Sequence, residues 1–95
     1  MATFFFLLSW TELGIKNIKE SPGRYDEAKA LLESMGGKVK ALYLTSGDYD
    51  MVMIAEVPVD AVAKYALSVA QKGAVRTKTI RAWTEDEYRE VIASL

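Results

Sequence analysis

Cysteine and histidine are both missing from this chain of 95 residues. Without cysteine the chain has no disulfide, no thiolate nucleophile and no zinc site built on thiolates. Without histidine it lacks the commonest general base and the commonest ligand of transition metals. The remaining carboxylates suit only calcium or magnesium, and no segment has the spacing of a calcium-binding loop. We therefore predict no metal and no cofactor.

A strong charge of either sign is missing as well. The chain carries 12 basic and 13 acidic residues, so its net charge is −1. Electrostatic binding of nucleic acids needs a basic surface, and this composition argues against it. The apolar run Phe4–Leu8 is too short to span a bilayer, and it lacks the flanks of a signal peptide. We expect a soluble, cytoplasmic protein with no nucleic-acid partner and no membrane partner.

The apolar residues that are present suffice for one folded domain. They make up 51% of the chain, and no linker, repeat or low-complexity tract divides it. We therefore expect residues 1–95 to form a single domain of ordinary size.

The apolar pattern predicts an α+β fold in the order β-α-β-β-α-β, with a short C-terminal helix. The predicted strands are residues 3–10, 38–46, 49–57 and 74–83. A helical stretch begins at Thr11, a second helix follows the break at Ser21-Pro22-Gly23, a third covers residues 59–72, and a capping box at residues 84–87 opens the last. The first and third strands are apolar on both faces, whereas the other two carry lysine and arginine, which is typical of edge strands. This pattern predicts a ferredoxin-like antiparallel sheet of order 4-1-3-2.

Two local details follow from the same pattern. Ser21 precedes Pro22 and is therefore expected to cap the second helix. Strict alternation in the second strand places Val39, Ala41 and Tyr43 on one face.

The fold has a consequence for association. If both helices cover one face of the sheet, the apolar residues on the other face of the two central strands stay uncovered. A second copy could cover them, sheet against sheet, in a dimeric α/β barrel arrangement. The alternative is that the C-terminal helix folds back over this face. We favour a homodimer or higher oligomer, because the apolar face of that helix is short.

Three segments resemble the GYD-domain family of small bacterial and archaeal proteins. They are residues 17–24, residues 75–79 and the turn Gly47-Asp48-Tyr49-Asp50, which carries the Gly-x-Tyr-Asp pattern of the family name. The likeness covers nearly the whole chain. It implies a ferredoxin-like dimeric α/β barrel and implies little about chemistry.

Sheet topology also predicts a candidate site. In this strand order the end of the first strand lies beside the starts of the third and fourth, close to a helical segment rich in basic residues. The planar guanidinium of arginine can donate two hydrogen bonds to one anion, and the N–H groups at a helix N-terminus also bind anions. The same residues could instead form a structural network in which Asp50 pairs with Arg24 or Arg76. The candidate ligand-binding residues are Trp10, Lys19, Arg24, Tyr49, Asp50 and Arg76.

Three functions therefore remain open from the sequence. The first is a binding or sensor module for a small anionic or polar metabolite. The second is a structural protein that assembles with itself. The third is a dimeric-barrel enzyme acting on a small apolar substrate, which ranks last because no pair of carboxylates has a spacing suited to acid–base catalysis.

Overall fold

The computed structural model describes residues 1–95 and has a ferredoxin-like α+β fold. Its four strands form one antiparallel sheet with the order β2-β3-β1-β4. This order is the predicted 4-1-3-2 read from the other edge, so the predicted sheet is confirmed. The strands are β1 (Ala2–Trp10), β2 (Lys38–Leu44), β3 (Met51–Val57) and β4 (Val75–Ala82).

Four α-helices connect or follow these strands. The first is short and continues into a 3-10 turn at Ile18–Glu20, and a second 3-10 turn at Val59–Ala61 precedes the third helix. Pro58 follows β3 and ends it, because proline cannot donate to the sheet. The helices are α1 (Glu12–Lys16), α2 (Ser21–Ser34), α3 (Val62–Ala70) and α4 (Glu85–Ala93).

The core lies between the sheet and the pair α2 and α3. Alternate residues of β1 are buried, among them Phe6, which is 1% exposed. Leu32 of α2 and Tyr65 of α3 reach the same cluster, at 0% and 2% exposed. The rings of Phe6 and Tyr65 meet edge to face, with centroids 5.6 Å apart. The core is therefore small and built on β1 and β3, the two strands that the sequence placed at the centre.

The opposite side of the sheet carries a second apolar surface, which we call the open face. Phe5 of β1 pairs with Ile54 of β3 and with Ile80 of β4, so the three side chains share this side. Leu7 and Val52 form the next such pair. Basic residues surround this apolar centre at Lys38, Lys40, Arg76 and Lys78.

Helix α4 does not cover the open face. Its apolar residues Tyr88, Val91 and Ile92 are 58%, 49% and 52% exposed, and Ile80 of the open face is 49% exposed. The alternative in which the last helix folds back over its own sheet is therefore not the arrangement observed. The capping box itself is present, with reciprocal hydrogen bonds between Thr84 and Glu87.

Two local predictions were wrong. A bulge between Val39 and Ala41 adds one residue to β2, so Val39 packs on the core while Ala41 turns to the open face. A bulge shifts the alternation because two residues of one strand face one residue of its neighbour. Ser21 does not cap α2, since it lies inside the first turn and Glu20 holds the cap position without a side-chain hydrogen bond.

No helix of the chain combines the length and the apolar character that crossing a bilayer requires.

Candidate functional site

The end of β1 brings together three of the predicted site residues. Trp10 pairs with Val75 and Ser9 with Arg76, while the Asp50 N–H donates to the Leu8 carbonyl at 2.8 Å. The Asp50 carboxylate accepts a hydrogen bond from the backbone N–H of Trp10 at 2.9 Å. Asp50 therefore ties the β2–β3 connection to the end of β1, and it pairs with neither arginine.

Tyr49 and Gly47 shape the same connection. The Thr45 hydroxyl donates to the Tyr49 carbonyl at 2.6 Å, and Gly47 has a φ of +100°, which disfavours any residue with a Cβ. The Lys78 ammonium lies 5.8 Å from the centre of the Tyr49 ring. Because Lys78 belongs to the open face, Tyr49 is associated with that side of the sheet.

Arg24 lies on the other side of the sheet, in the helix layer. Its guanidinium donates to the Asn17 carbonyl at 3.0 Å and to the Gly14 carbonyl at 3.5 Å, and it lies 3.8 Å from the Glu20 carboxylate. Since Arg76 occupies an open-face position, the sheet separates the two arginines. Lys19 is exposed and makes no hydrogen bond or ion pair. The six predicted residues therefore do not form one cluster.

The structure reveals a cleft that the sequence did not predict. It lies between α2, α3 and the sheet and encloses about 70 Å³. Its lining is mostly apolar, with 12 hydrophobic residues of 16. Phe6, Leu8 and Met53 contribute from the sheet, and Tyr25 and Val69 contribute from the helices.

Small side chains line the cleft where α2 and α3 face each other. Ala28 of α2 and Ala66 of α3 both line it, and methyl side chains cannot fill the space between two helices. Tyr65 bridges the gap instead, since its hydroxyl donates to the Ala28 carbonyl at 3.0 Å. Burial, with a contribution from neighbouring Tyr25, raises the pKa of Tyr65 to about 12, so the phenol is a neutral donor at physiological pH.

Positive charge collects among the polar residues of this cleft. Arg24 and Lys72 both line it, as does Ser21 at the positive end of the α2 dipole. A guanidinium has five N–H donors, and Arg24 uses two of them in hydrogen bonds to carbonyls. Its nearest carboxylate is that of the exposed Glu20, 3.8 Å away and beyond hydrogen-bond distance. Lys72 has only an exposed pairing with Glu27 at 3.5 Å. The cleft can therefore offer cationic donors beside an apolar lining.

Arg24 was among the predicted site residues, but the other polar residues of the cleft were not. Lys72 and Ser21 come from segments that meet only in the folded chain. Tyr65 gave the clearest signal, because it is the one aromatic residue in an alanine-rich helix. Such a residue must either fill the core or bridge to a neighbouring helix.

Comparison with known families now identifies the domain. The model of the GYD domain matches residues 4–92. This chain belongs to the GYD-domain family. The resemblance seen in the Gly47–Asp50 turn is thus confirmed over nearly the whole of this chain.

Solved structures share this fold at low sequence identity. The leucine response regulatory protein of Mycobacterium tuberculosis is 20% identical, with a TM-score of 0.56; the alignment covers 87% of this chain and 51% of that one. The feast or famine regulatory protein of M. tuberculosis, complexed with L-methionine, is 18% identical, with a TM-score of 0.56 and coverages of 88% and 51%. The hypothetical protein PHS023 of Pyrococcus horikoshii is 23% identical, with a TM-score of 0.54 and coverages of 90% and 93%.

The GYD chain thus spans about half the length of the two mycobacterial proteins. No curated protein matches it. The expectations that it binds no nucleic acid, no metal and no cofactor stay predictions.

Proposed function

We propose that this GYD-domain protein is a binding module for a small anionic metabolite with an apolar part, and that the cleft between α2 and α3 is its binding site. The observation that carries the proposal is the pairing of an apolar cleft with Arg24 and Lys72 in its lining. Ligand sites are typically concave and mostly apolar, with a few polar groups that orient the ligand. A carboxylate at the guanidinium would use N–H donors that make no hydrogen bond within the protein and would compete only with the exposed Glu20.

The size of the cleft limits the ligand. A dry cavity of roughly 150 Å³ accepts benzene, whereas one water needs roughly 10–15 Å³. At about 70 Å³, this cleft suits a short aliphatic or thioether chain better than an aromatic ring. The ligand class is therefore a small amino acid or short-chain carboxylic acid.

One similar structure holds a ligand of the same class. The feast or famine regulatory protein is complexed with L-methionine, a carboxylate with a thioether chain. At 18% identity this likeness shows the fold alone, so the ligand class rests on the cleft of the present chain.

The other predicted site residues lie outside the cleft. Four of them surround the end of β1 near the open face, namely Trp10, Tyr49, Asp50 and Arg76, and Lys19 is exposed. A ligand role for these residues remains a prediction, and the experiment below separates it from the cleft.

The test is thermal unfolding and calorimetric titration with aliphatic amino acids, L-methionine and short-chain carboxylates. We expect at least one to raise the melting temperature, because a ligand that binds only the folded state stabilises it. Arg24→Ala should abolish this response. Lys29→Ala, which removes an exposed cation of the same helix outside the cleft lining, should leave it intact.

Two results would contradict the cleft. If Arg76→Ala abolishes the response and Arg24→Ala does not, the ligand binds at the β1 end of the sheet. If no compound of the panel binds the parent protein, the proposed ligand class is wrong.

The open face supports a second proposal, that the protein associates with itself. Phe5, Ile54 and Ile80 leave an apolar surface on a sheet whose other side is covered by helices. The predicted dimeric α/β barrel would cover this surface with the sheet of a second copy. Sedimentation at micromolar concentration should give a dimer or larger species, and a monomer would refute this proposal.

A further inference from the structure

Helix α4 presents an apolar stripe that its own chain leaves uncovered. Tyr88, Val91 and Ile92 are 58%, 49% and 52% exposed, and none belongs to the core cluster. These residues follow the spacing of one helix face. A capping box starts the helix at a defined residue and so fixes which residues share the stripe.

The charges of α4 are strongly one-sided. The helix has four carboxylates and one guanidinium, that of Arg89, so its net charge is −3 over nine residues. Glu85 lies one turn before Tyr88 and therefore borders the stripe, whereas Asp86 points to the opposite side of the helix. The Glu85 carboxylate accepts a hydrogen bond from the Arg89 guanidinium at 2.9 Å, and this pair is exposed.

A complementary surface lies at the start of β2. Lys38 is exposed and has no ion-pair partner, and Lys40 lies 3.3 Å from Glu56. Both lysines border the open face at the end where β2 begins. This rim can attract an acidic helix from another molecule.

The geometry of the proposed dimer brings these two elements together. The pairings make β1 and β2 run one way and β3 and β4 the other. Suppose that the open faces of two copies meet about a two-fold axis parallel to the strands. Each strand of the second copy then runs in the same direction as its counterpart in the first, but the left-to-right order of the four strands is reversed. The β4 of one copy then lies beside the β2 of the other and antiparallel to it. This places Ala82, the end of β4, beside Lys38 of the second copy.

We propose that α4 of each copy docks on the second copy at the Lys38 end of its β2, with the apolar stripe facing the end of the barrel and Glu85 facing the lysines. This inference rests on the proposed self-association and names the segment that completes it. Only Trp83 and Thr84 separate β4 from α4, so the helix cannot reach far from the place where the barrel closes.

The decisive experiment mixes two charge-reversed chains. Lys38→Glu and Glu85→Lys should each weaken the homodimer, because each places like charges at both contacts. In the mixed dimer one contact keeps the native pair and the other holds the same pair reversed. With one chain labelled by a heavy nitrogen isotope, native mass spectrometry should show well over half of the dimers as mixed.

The control is Asp86→Lys, which makes the same charge change on the side of α4 that faces away from the stripe. Mixed with Lys38→Glu, it should give fewer mixed dimers than Glu85→Lys does. The docking of α4 at this place would be overturned by two results together. The Lys38→Glu and Glu85→Lys chains would mix only statistically, and the homodimer of each variant would stay intact.

Truncation after Trp83 separates this inference from self-association itself. We expect the truncated chain to dimerise still, through the open face, with a dissociation constant raised roughly tenfold or more by the lost apolar burial. An unchanged constant would show that α4 takes no part in the dimer. A parent protein that is monomeric at every concentration would refute the self-association on which this inference rests.

Discussion

Replacement of Tyr65 by phenylalanine tests how the two helices are held beside the cleft. The ring is 2% exposed and packs edge to face on Phe6, and phenylalanine keeps both features. Only the hydroxyl that donates to the Ala28 carbonyl is lost. That carbonyl still accepts the helical hydrogen bond from Leu32, so no buried acceptor is left without a partner. We expect Tyr65→Phe to lower the free energy of unfolding at neutral pH by about 1 kcal/mol.

The same substitution should have the opposite effect in alkaline solution. The pKa of Tyr65 rises from 10.0 to about 12 in the folded chain, chiefly through burial. The folded state therefore keeps its proton where the unfolded state has lost it. The resulting stability is fully present below pH 10 and is lost as the pH rises toward 12, by about 3 kcal/mol in all. The phenylalanine variant has no such loss at this position.

The two stability curves should therefore cross. At roughly pH 11 the free energy that the parent loses through ionisation of Tyr65 exceeds the free energy that the variant lacks through its missing hydrogen bond. Above this pH, Tyr65→Phe becomes the more stable protein. Urea unfolding followed by circular dichroism at a fixed chain concentration measures both curves, and other titrating groups affect both proteins alike. Tyr88→Phe, at an exposed position, controls for the loss of a phenol as such. A constant gap between the parent and Tyr65→Phe from neutral pH to pH 11 would refute the reasoning.

Two further predictions concern the open face and the last helix. Val52→Asp places a charge in the apolar centre of the open face and should shift the protein toward monomer in sedimentation, because an unpaired carboxylate is costly to bury; an unchanged dimer would contradict the proposed contact. Thr84→Ala should cost about 1 kcal/mol of helix stability, measured by helical circular dichroism. Hydrogen bonding from the Thr84 N–H lowers the pKa of Glu87, so the parent should also lose this stabilisation as the pH falls through that lowered pKa; helicity that is insensitive to acid would argue against it.

Several features of the fold could be read directly from residue order. β1 and β3 are apolar on both sides, whereas β2 and β4 carry lysine and arginine, which is typical of edge strands. The Thr84–Glu87 capping box sets the start of α4 through local hydrogen bonds, and Pro58 ends β3 because proline has no N–H to donate. Both effects can be recognised without tertiary context. Even the meeting of Trp10 with Asp50 followed from strand order, because antiparallel pairing places the end of β1 beside the start of β3.

The details that matter for function depended on the folded chain. The bulge at Val39 reversed the faces of part of β2, and a bulge leaves no mark on an alternating pattern until the strand is paired. Pairing also placed Arg24 and Arg76 on opposite sides of the sheet, although both are basic residues near the same end of it.

The cleft shows the same division between sequence and structure. Ala28 and Ala66 are each ordinary helix residues, and the space between them exists only because two helices lie side by side over one sheet. Tyr65 is recognisable in the sequence as a bulky residue among small ones, but its partner is a carbonyl 37 positions away. Local sequence determined which elements form and which strands lie at the centre, because these depend on short-range patterns of burial and capping. The tertiary structure alone decided where positive charge meets an apolar cavity, because that depends on the packing of side chains distant along the chain.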